Sequence, residues 1–561
     1  MFVRVKTTPN SPRKSVQIVE SYRSGDKIKQ KIIRYVGIAI DDAEEQKLRA
    51  MAEDYIIKIT AQSAQNNPQM DLFGINEAQV AASIKSKAGR PVKKKLEDIL
   101  PPSQVTLDDI IEQHRITEGV HEVGSHVYSE VGYNKILDSK RDNNMLMDLV
   151  LARLSNPASK HRTQRLLANQ FGKEYDLSAI YRLMDKIFPQ IDKIKKITFD
   201  RVKALFPEQI DLILFDVTTL YFESTEVDEV RAFGYSKDHR FNTTQVVLAL
   251  ATNGDGLPIG YELFEGNKAE VGTLCAAVKN WEKIFKISSV CFVGDRAMFS
   301  AKNLALLEEH GHKYIIAAKL RSLSKEMQAD IFNEHNYHAT VLASSLAWLG
   351  EFDYKGQRLV VSYKKQRALK DINDRKKILE KLQKSIGKKG PTKKLITNQG
   401  VKKYTTTDAK SQTAIDEEKV ALDAQWDGLH GIITNIKDDS AESLIARYCR
   451  LWVIEESFRI NKHTLEMRPI FHWKPERIHA HIAMCYMTFS VLRHLQYKVN
   501  LMQKISIESI IEELSNVQAS IHKHKVTKDL YRVPGYLTNN VRKIYKTFGL
   551  TRSQDATIYL P

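Results

Sequence analysis

Three acidic residues could do chemistry together, and one of them stands where a carboxylate is costly to place. Asp216 lies inside the run LILFDV, residues 212–217, among large apolar neighbours. Burying a charged group there costs about several kcal/mol unless it is paired or ligates a metal. Asp295 follows CFVG, at the C-terminal end of a second apolar run. Glu455 lies in YCRLWVIEESFRINKHTL, with Tyr448 seven residues before it and Lys462 seven after. On one continuous helix seven residues fall about 20° short of two turns, so the three share a stripe. Arg459, four after Glu455, lies beside them. Glu456 is the rival third acid, about 100° around the helix. This set suits phosphodiester transfer. Two divalent ions about 3.5–4 Å apart can activate a nucleophilic oxygen and neutralise the leaving one. Mg²⁺ (or Mn²⁺) prefers oxygen ligands, so carboxylates serve and thiols do not. Hydroxyl and cationic side chains then hold phosphates. Each residue also has a plain structural reading. Asp216 can be an edge or turn residue, Asp295 a cap paired with Arg296, and Glu455 with Lys462 an exposed helix pair. The conjunction is what points to a site.

The surrounding pattern predicts elements able to position these groups. VQIVESYR and KIKQKIIRYVG alternate like strands, and DAEEQKLRAMAEDYIIKIT has helical spacing with its acids first. Residues 1–62 therefore read as a small sheet plus a helix. Residues 63–103 read as a basic linker; Gly89-Arg90-Pro91 within it resembles an AT-hook, an arm whose Arg90 can enter a minor groove. The alternative is a solvated basic segment. Residues 104–206 read as helical, with a break at Ser155-Asn156-Pro157 and an N-cap at Asp176. His161, Arg162 and Arg165 make a basic surface there, which fits DNA contact or simply a wet helix face. From 207 to 320, three strands around an Asn253–Gly256 turn are followed by helix–strand–helix–strand, which implies an α/β sheet with helices packed on it. Residues 321–427 break the rhythm and read as an insertion. A strand at 428–436 and helices up to 497 complete the core, and 498–561 form a C-terminal region. YCRLWVIEESFRINK reads as part of one helix from about 440 to 466.

Lys and Arg number 85 against 68 Asp and Glu, a net charge of +17. A basic surface draws polyanions, nucleic acid first. The four cysteines, Cys275, Cys291, Cys449 and Cys485, form no Cys-x-x-Cys pair, against a zinc ribbon or a disulfide framework. The start MFVRVKTTPNSPRKS has no apolar signal core, and no stretch approaches the roughly 18 apolar residues of a membrane span. The expectation is a soluble intracellular protein with no membrane partner.

The segments LILFDVTTLYFES, FGYSKDHRFNTTQVVLAL with GLPIGYELFEGN, VGDRAMFSAKNL and YCRLWVIEESFRINKHTLEMRPIFH together resemble the DDE transposases of bacterial insertion sequences. The group is the one with an RNase H-like core and a Tyr–Arg–Glu–Lys signature. The likeness spans about residues 210–497. It implies a multidomain α/β protein: an RNase H-like catalytic core carrying an inserted mixed or β-rich domain, preceded by a small N-terminal sheet and a helical DNA-binding region. It implies Asp216, Asp295 and Glu455 as catalytic and metal-binding acids with two Mg²⁺ or Mn²⁺ ions, and Tyr448 and Lys462 as phosphate contacts. The signature Arg position holds Leu451, so Arg450, Arg447 or Arg459 must take that role. Arg296 joins the phosphate-binding candidates. Trp348 in the insertion is the candidate for stacking a flipped base, with Trp426 as the other tryptophan there; packing is the competing role for each. The implied reaction nicks inverted-repeat ends of the element, frees a 3′-hydroxyl and joins it to target DNA, in a homodimer on paired ends, in the bacterial cytoplasm at the nucleoid. Two other readings remain: a catalytically inactive transposase-derived DNA-binding protein, and a structure-specific nuclease without strand transfer.

Overall fold

The computed structural model describes residues 1–7, 14–24, 27–39, 41–65, 107–206, 212–223, 226–234, 243–268, 270–287, 289–295, 299–386, 403–407 and 413–559. They form two compact units, one of residues 1–116, 519–536 and 553–561, the other of residues 117–518 and 537–552. The AT-hook-like segment with Arg90, and Arg296, lie outside the described residues.

The first unit begins with β1 (Phe2–Thr7), β2 (Lys14–Ser24) and β3 (Lys27–Ala39), an antiparallel sheet in that order. The alternation read from the sequence turns Val16 and Ile18 inward, against Ala52 and Ile56 of α1 (Asp42–Gln65). The acidic first turn of α1 suits the positive end of a helix dipole, and Lys14 pairs there with Asp42 at 2.6 Å and Glu45 at 2.8 Å. The next element is a strand, β4 (Ile110–Thr117), where the sequence pattern predicts a helix.

The second unit opens with five helices: α2 (Gly119–Val131), α3 (Lys140–Ser155), α4 (Lys160–Phe171), α5 (Leu177–Ile187) and α6 (Ile191–Leu205). The predicted break appears between α3 and α4, where Ser159 caps α4 by accepting the Arg162 N–H. Asp176 occupies the N-cap of α5 but its side chain makes no capping bond. Three strands follow, β5 (Leu212–Tyr221), β6 (Gln245–Thr252) and β7 (Pro258–Glu265). Then come α7 (Glu270–Phe285), β8 (Cys291–Gly294), α8 (Ala301–Glu309) and β9 (Lys313–Ala317). β5–β6–β7 are antiparallel, and β8 and β9 run parallel to β5.

The sheet does not end where the insertion was expected to begin. After α9 (Lys325–Phe332), the hairpin strands β10 (Tyr337–Leu342), β11 (Ser345–Tyr354) and β12 (Gln357–Tyr363) join it through a later strand. That strand is β15 (Leu429–Thr434), reached after α10 (Lys365–Ile386), the small hairpin β13 (Thr405–Thr407) and β14 (Thr413–Ile415), and α11 (Glu417–Ala424). Among the described residues the nine strands lie in the order β10-β11-β12-β15-β9-β8-β5-β6-β7. The insertion strands thus extend the core sheet; Leu359, Val360 and Val361 are fully buried and could not remain an exposed edge.

The chain then forms α12 (Ala441–Cys449), α13 (Trp452–Arg459) and α14 (Pro475–Met502). α14 is buried around most of its circumference, as a helix apolar on all sides must be. Its residues share one core cluster with α2–α5, α12, α13 and one face of the sheet, while α7 and α9 contribute to the cluster on the other face. The expected helical region at 104–206 is thereby packed into the core rather than set apart. No described helix is long and apolar enough to cross a membrane. The tail holds α15 (Ile507–Ser515), β16 (Gln518–His524), β17 (Leu530–Pro534), α16 (Asn539–Thr547) and β18 (Thr557–Ile558). Its strands close a sheet of the first unit in the order β18-β17-β16-β4, around Ile116, Ala519 and Ile521.

Candidate active site

β5 and β8 are parallel neighbours, with Leu212 opposite Cys291, Ile213 opposite Phe292 and Leu214 opposite Val293. That offset is 79 residues, the same as the separation of Asp216 and Asp295. Carried two residues further, the register sets the two aspartates level with each other. Alternation assigns their face. Leu212, Leu214, Cys291 and Val293 belong to one core cluster, and Ile213, Phe215, Val217 and Phe292 to the other. Asp216 and Asp295 follow the first set. That face is covered by α12 and α13: Leu444, Ile445, Val453, Ile454 and Phe458 lie in its cluster, and α13 packs on β5 and β6. Asp216 is half-buried and its Oδ1 accepts the Val217 N–H at 2.7 Å, whereas Asp295 and Glu455 are exposed.

Tyr448 links the strand ends to the helix. Burial first, then the neighbouring charge of Asp295 and, less strongly, that of Glu455, push its phenol up to about 12. Its ring lies 5.1 Å from that of His430, at the start of β15. Burial, with Arg367 and Lys364 nearby, holds His430 neutral down to about 4. These last three residues were not singled out from sequence. Lys364 and Arg367 read as part of a basic insertion and His430 as a strand residue. Only the pairing of β12 and β15 in the central sheet brings them toward the acids.

The single helix expected over 440–466 is interrupted twice. Between α12 and α13 the chain makes i→i+3 bonds, from Leu451 N–H to Tyr448 O at 2.9 Å and from Val453 N–H to Arg450 O at 2.9 Å. Residues 460–464 form a π turn, closed by Leu465 N–H on Ile460 O at 2.9 Å. The tight turn advances more than 100° per residue and the π turn less, so the seven-residue stripe of Tyr448, Glu455 and Lys462 does not hold as an ideal-helix feature. Lys462 is half-buried within the π turn.

The other candidates separate. Arg450 lies against the β6–β7 turn: a Cβ on Gly254 would meet its guanidinium at 2.5 Å, with Leu212 beside it. Arg450 thus sits by the N-terminal end of β5, away from Asp216. Arg447 pairs with Asp439 at 3.1 Å. Arg459 is largely exposed, 3.6 Å from Glu456. Glu456 turns to Arg493 at 3.3 Å, and Arg493 also donates to the carbonyls of Gly256 and Asp255. The rival acid is therefore a fastening between α13, α14 and the β6–β7 turn. Trp348 lies elsewhere on the sheet. Its neighbours Ala347 and Leu349 belong to the cluster on the acids' face, so its half-buried ring points to the opposite face. There it lines a cleft with Phe332, Tyr337 and Tyr363. Trp426 packs on that same face against Phe332, with centroids 4.6 Å apart.

Three carboxylates offer the hard oxygen donors that Mg²⁺ prefers. Among the described residues, however, no group of three or more His, Cys, Asp or Glu side chains is arranged to hold a metal ion. Asp216 and Asp295 share a face that the helix of Glu455 covers, without forming a closed cage with it. All four cysteines are free thiols.

Against known families, residues 207–490 match the transposase DDE domain and residues 2–62 match the N-terminal domain of IS1634 family transposases. The chain belongs to the DDE-domain transposases of insertion sequences. It is accordingly a DNA transposase, an enzyme acting on DNA, and DDE transposase domains generally depend on divalent metal. Among solved structures it is similar to a piggyBac transposase synaptic complex with hairpin DNA, at 10% identity, over 71% of this chain and 77% of that one, with TM-score 0.35. It is also similar to a Mos1 transposase paired-end complex with the left transposon end, at 11% identity, over 32% and 58%, with TM-score 0.14. No curated protein gave a match.

Proposed function

We propose that Asp216, Asp295 and Glu455 are the catalytic acids, cleaving DNA at the ends of an insertion sequence and joining the freed 3′-hydroxyl to target DNA. The observation that carries this reading is the β5–β8 register, which levels Asp216 with Asp295 on the face over which the Glu455 helix packs. The three carboxylates would hold two Mg²⁺ or Mn²⁺ ions, which activate the attacking oxygen and neutralise charge on the leaving one. Mg²⁺ keeps several waters and is commonly held by one or two carboxylates plus substrate phosphates. An open set of acids on one face suits such assembly on DNA.

The chain's own groups position the scissile phosphate. The Tyr448 hydroxyl stays protonated at neutral pH and can donate to a phosphate oxygen. Lys462 and Arg459 supply cations on the Glu455 side, and Arg367 and Lys364 on the His430 side. Arg459, on the helix of Glu455 and open to solvent, is the best-placed substitute for the signature Arg. The five strands β5–β9 with their helices form the RNase H-like core, and a homodimer holds paired ends.

The test is a nicking and joining assay with Mg²⁺ on DNA carrying the element's ends. Asp216→Ala, Asp295→Ala and Glu455→Gln should each reduce cleavage by about a thousandfold or more, with DNA affinity within a few-fold of wild type. Retained cleavage in any of the three removes that residue from the set.

A further inference from the structure

A second cationic pocket lies apart from the three acids, between the α3–α4 corner and the segment 466–472 that precedes α14. It encloses about 260 Å³ and is lined by Arg153, Lys160, Arg162 and Arg468, with His472 and His481. Glu466 is the carboxylate on its wall. Arg153 and Lys160 are each only 6% exposed. Neither forms an ion pair among the described residues, and Nε and Nη1 of Arg153 have no hydrogen-bond partner. Buried cations without a counter-charge are costly, and removing one partner of such a pair is usually what creates them. Among the described residues no carboxylate pairs with either Arg153 or Lys160.

The rest of the pocket favours an anion. It abuts the N-terminus of α4, capped by Ser159, where the first backbone N–H groups have no intrahelical acceptor and the dipole end is positive. His481 Nε2 lies 3.2 Å from Met467 O, and its Nδ1 has no partner. Burial together with the Lys160 and Arg153 charges keeps His472 and His481 neutral, and burial beside Arg153 lowers the Lys160 ammonium to about 7. A tetrahedral oxyanion would supply the missing charge to the Arg153 guanidinium, the Lys160 ammonium and a helix end together.

The pocket also stands at a useful place. Ile470 N–H donates to Tyr221 O at 3.3 Å, and Arg468 lies over the Tyr221 ring at 5.2 Å. Tyr221 ends β5, five residues beyond Asp216. At about 3.3 Å per residue that is roughly 16 Å along the strand. One DNA strand covers that length in about five nucleotide steps.

We infer that this pocket is a phosphate-binding subsite, which grips a phosphate of the DNA a few nucleotides from the cut and sets the register of the end in the active site. The inference rests on the transposase reading for its DNA ligand, but the pocket's affinity for a phosphate does not depend on the three acids.

The first experiment uses the full chain and inorganic phosphate. Thermal melting is followed in phosphate and in chloride at matched ionic strength, without metal. Wild type should melt several degrees higher in phosphate, and Lys160→Met and Arg153→Met should lose that shift. Lys160→Met should be at least as stable as wild type in chloride, because it removes a buried ammonium with no partner; it keeps the test valid should Arg153→Met fail to fold. The second experiment measures binding of short duplexes with 5′-phosphate or 5′-hydroxyl ends. Lys160→Met should weaken binding about tenfold and lower the slope of log affinity against log salt by about 1. Equal weakening on both duplexes assigns an internal phosphodiester, and weakening confined to the phosphorylated one assigns a terminal phosphate. No phosphate shift in wild type, a shift kept in Lys160→Met, or unchanged DNA affinity each overturns the subsite. The Asp216→Ala protein should keep the phosphate shift, so a failure of the acid assignment reads out separately.

Discussion

Glu455 and Glu456 are adjacent in the chain and opposite in expected consequence. Glu455 is exposed on the helix that covers the acids' face, and replacing it by Gln should remove cleavage while leaving the melting temperature near wild type. Glu456 pairs with the buried Arg493, so Glu456→Gln should keep cleavage and lower stability. Breaking a fully buried pair costs about 3–5 kcal/mol. Glu456 is a quarter exposed, which reduces the expectation to roughly 1–2 kcal/mol. Nicking assays and melts on both variants decide the matter, and the reverse pattern would make Glu456 the third acid. Tyr448 follows the same residue logic. Its raised pKa keeps the phenol uncharged well above neutrality, so wild type and Tyr448→Phe should show parallel pH profiles between about 6 and 9, offset by a constant factor.

At the scale of elements, the β6–β7 turn is more than a connection. Asn253 Oδ1 accepts the N–H groups of Asp255 at 3.0 Å and Leu257 at 2.9 Å, and Gly256 takes φ +80. A Cβ at Gly256 would collide with the Arg493 guanidinium. Gly256→Ala therefore meets both left-handed backbone strain and a displaced Arg493. It should cost about 2–4 kcal/mol, more than the roughly 1–2 kcal/mol of backbone strain alone. Because Arg493→Met removes the colliding group, the double variant should be less destabilised than the sum of the singles, and strict additivity would show that the turn and Arg493 are independent. The broken helix belongs to this scale too: the tight turn before Trp452 and the π turn after Arg459 set where Tyr448 and Lys462 stand relative to Glu455.

Two properties belong to the whole molecule. Burial holds His430, His472 and His494 neutral down to about 4, 3 and 4, and lowers His479 and His481 as well. An unfolded chain would protonate them near 6.5. Their contribution to stability is therefore full above about pH 6.5 and is lost as pH falls toward 4, by up to about 1.4 kcal/mol per pH unit for each group. Melting temperature should drop steeply between about pH 7 and 5; a flat profile over that window would contradict the burial of these rings. The net charge of +17 predicts a second bulk property. DNA affinity should fall steeply with salt as bound cations are displaced, and a flat response would argue against a phosphate-dominated interface.

Much was legible along the chain because it depends on local chemistry. The apolar run around Asp216, the Asn253–Gly256 turn, the N-terminal strands and the α3–α4 break follow from side-chain alternation, turn residues and caps, which act over a few residues. Even the 79-residue spacing of Asp216 and Asp295 was visible, although its meaning as a strand register was not. Tertiary structure decided the rest. β4 reads ambiguously alone and becomes a strand because Ile116 packs on Ala519 and Ile521, some four hundred residues away. β10–β12 join the central sheet because β15 offers β12 a partner, and Trp348 faces away from the acids because its neighbours fill the core on their side. That Arg153 and Lys160 have no ion-pair partner among the described residues was invisible for the same reason. Burial and the lack of a counter-charge are properties of what surrounds a residue, and only the folded chain brings those surroundings together.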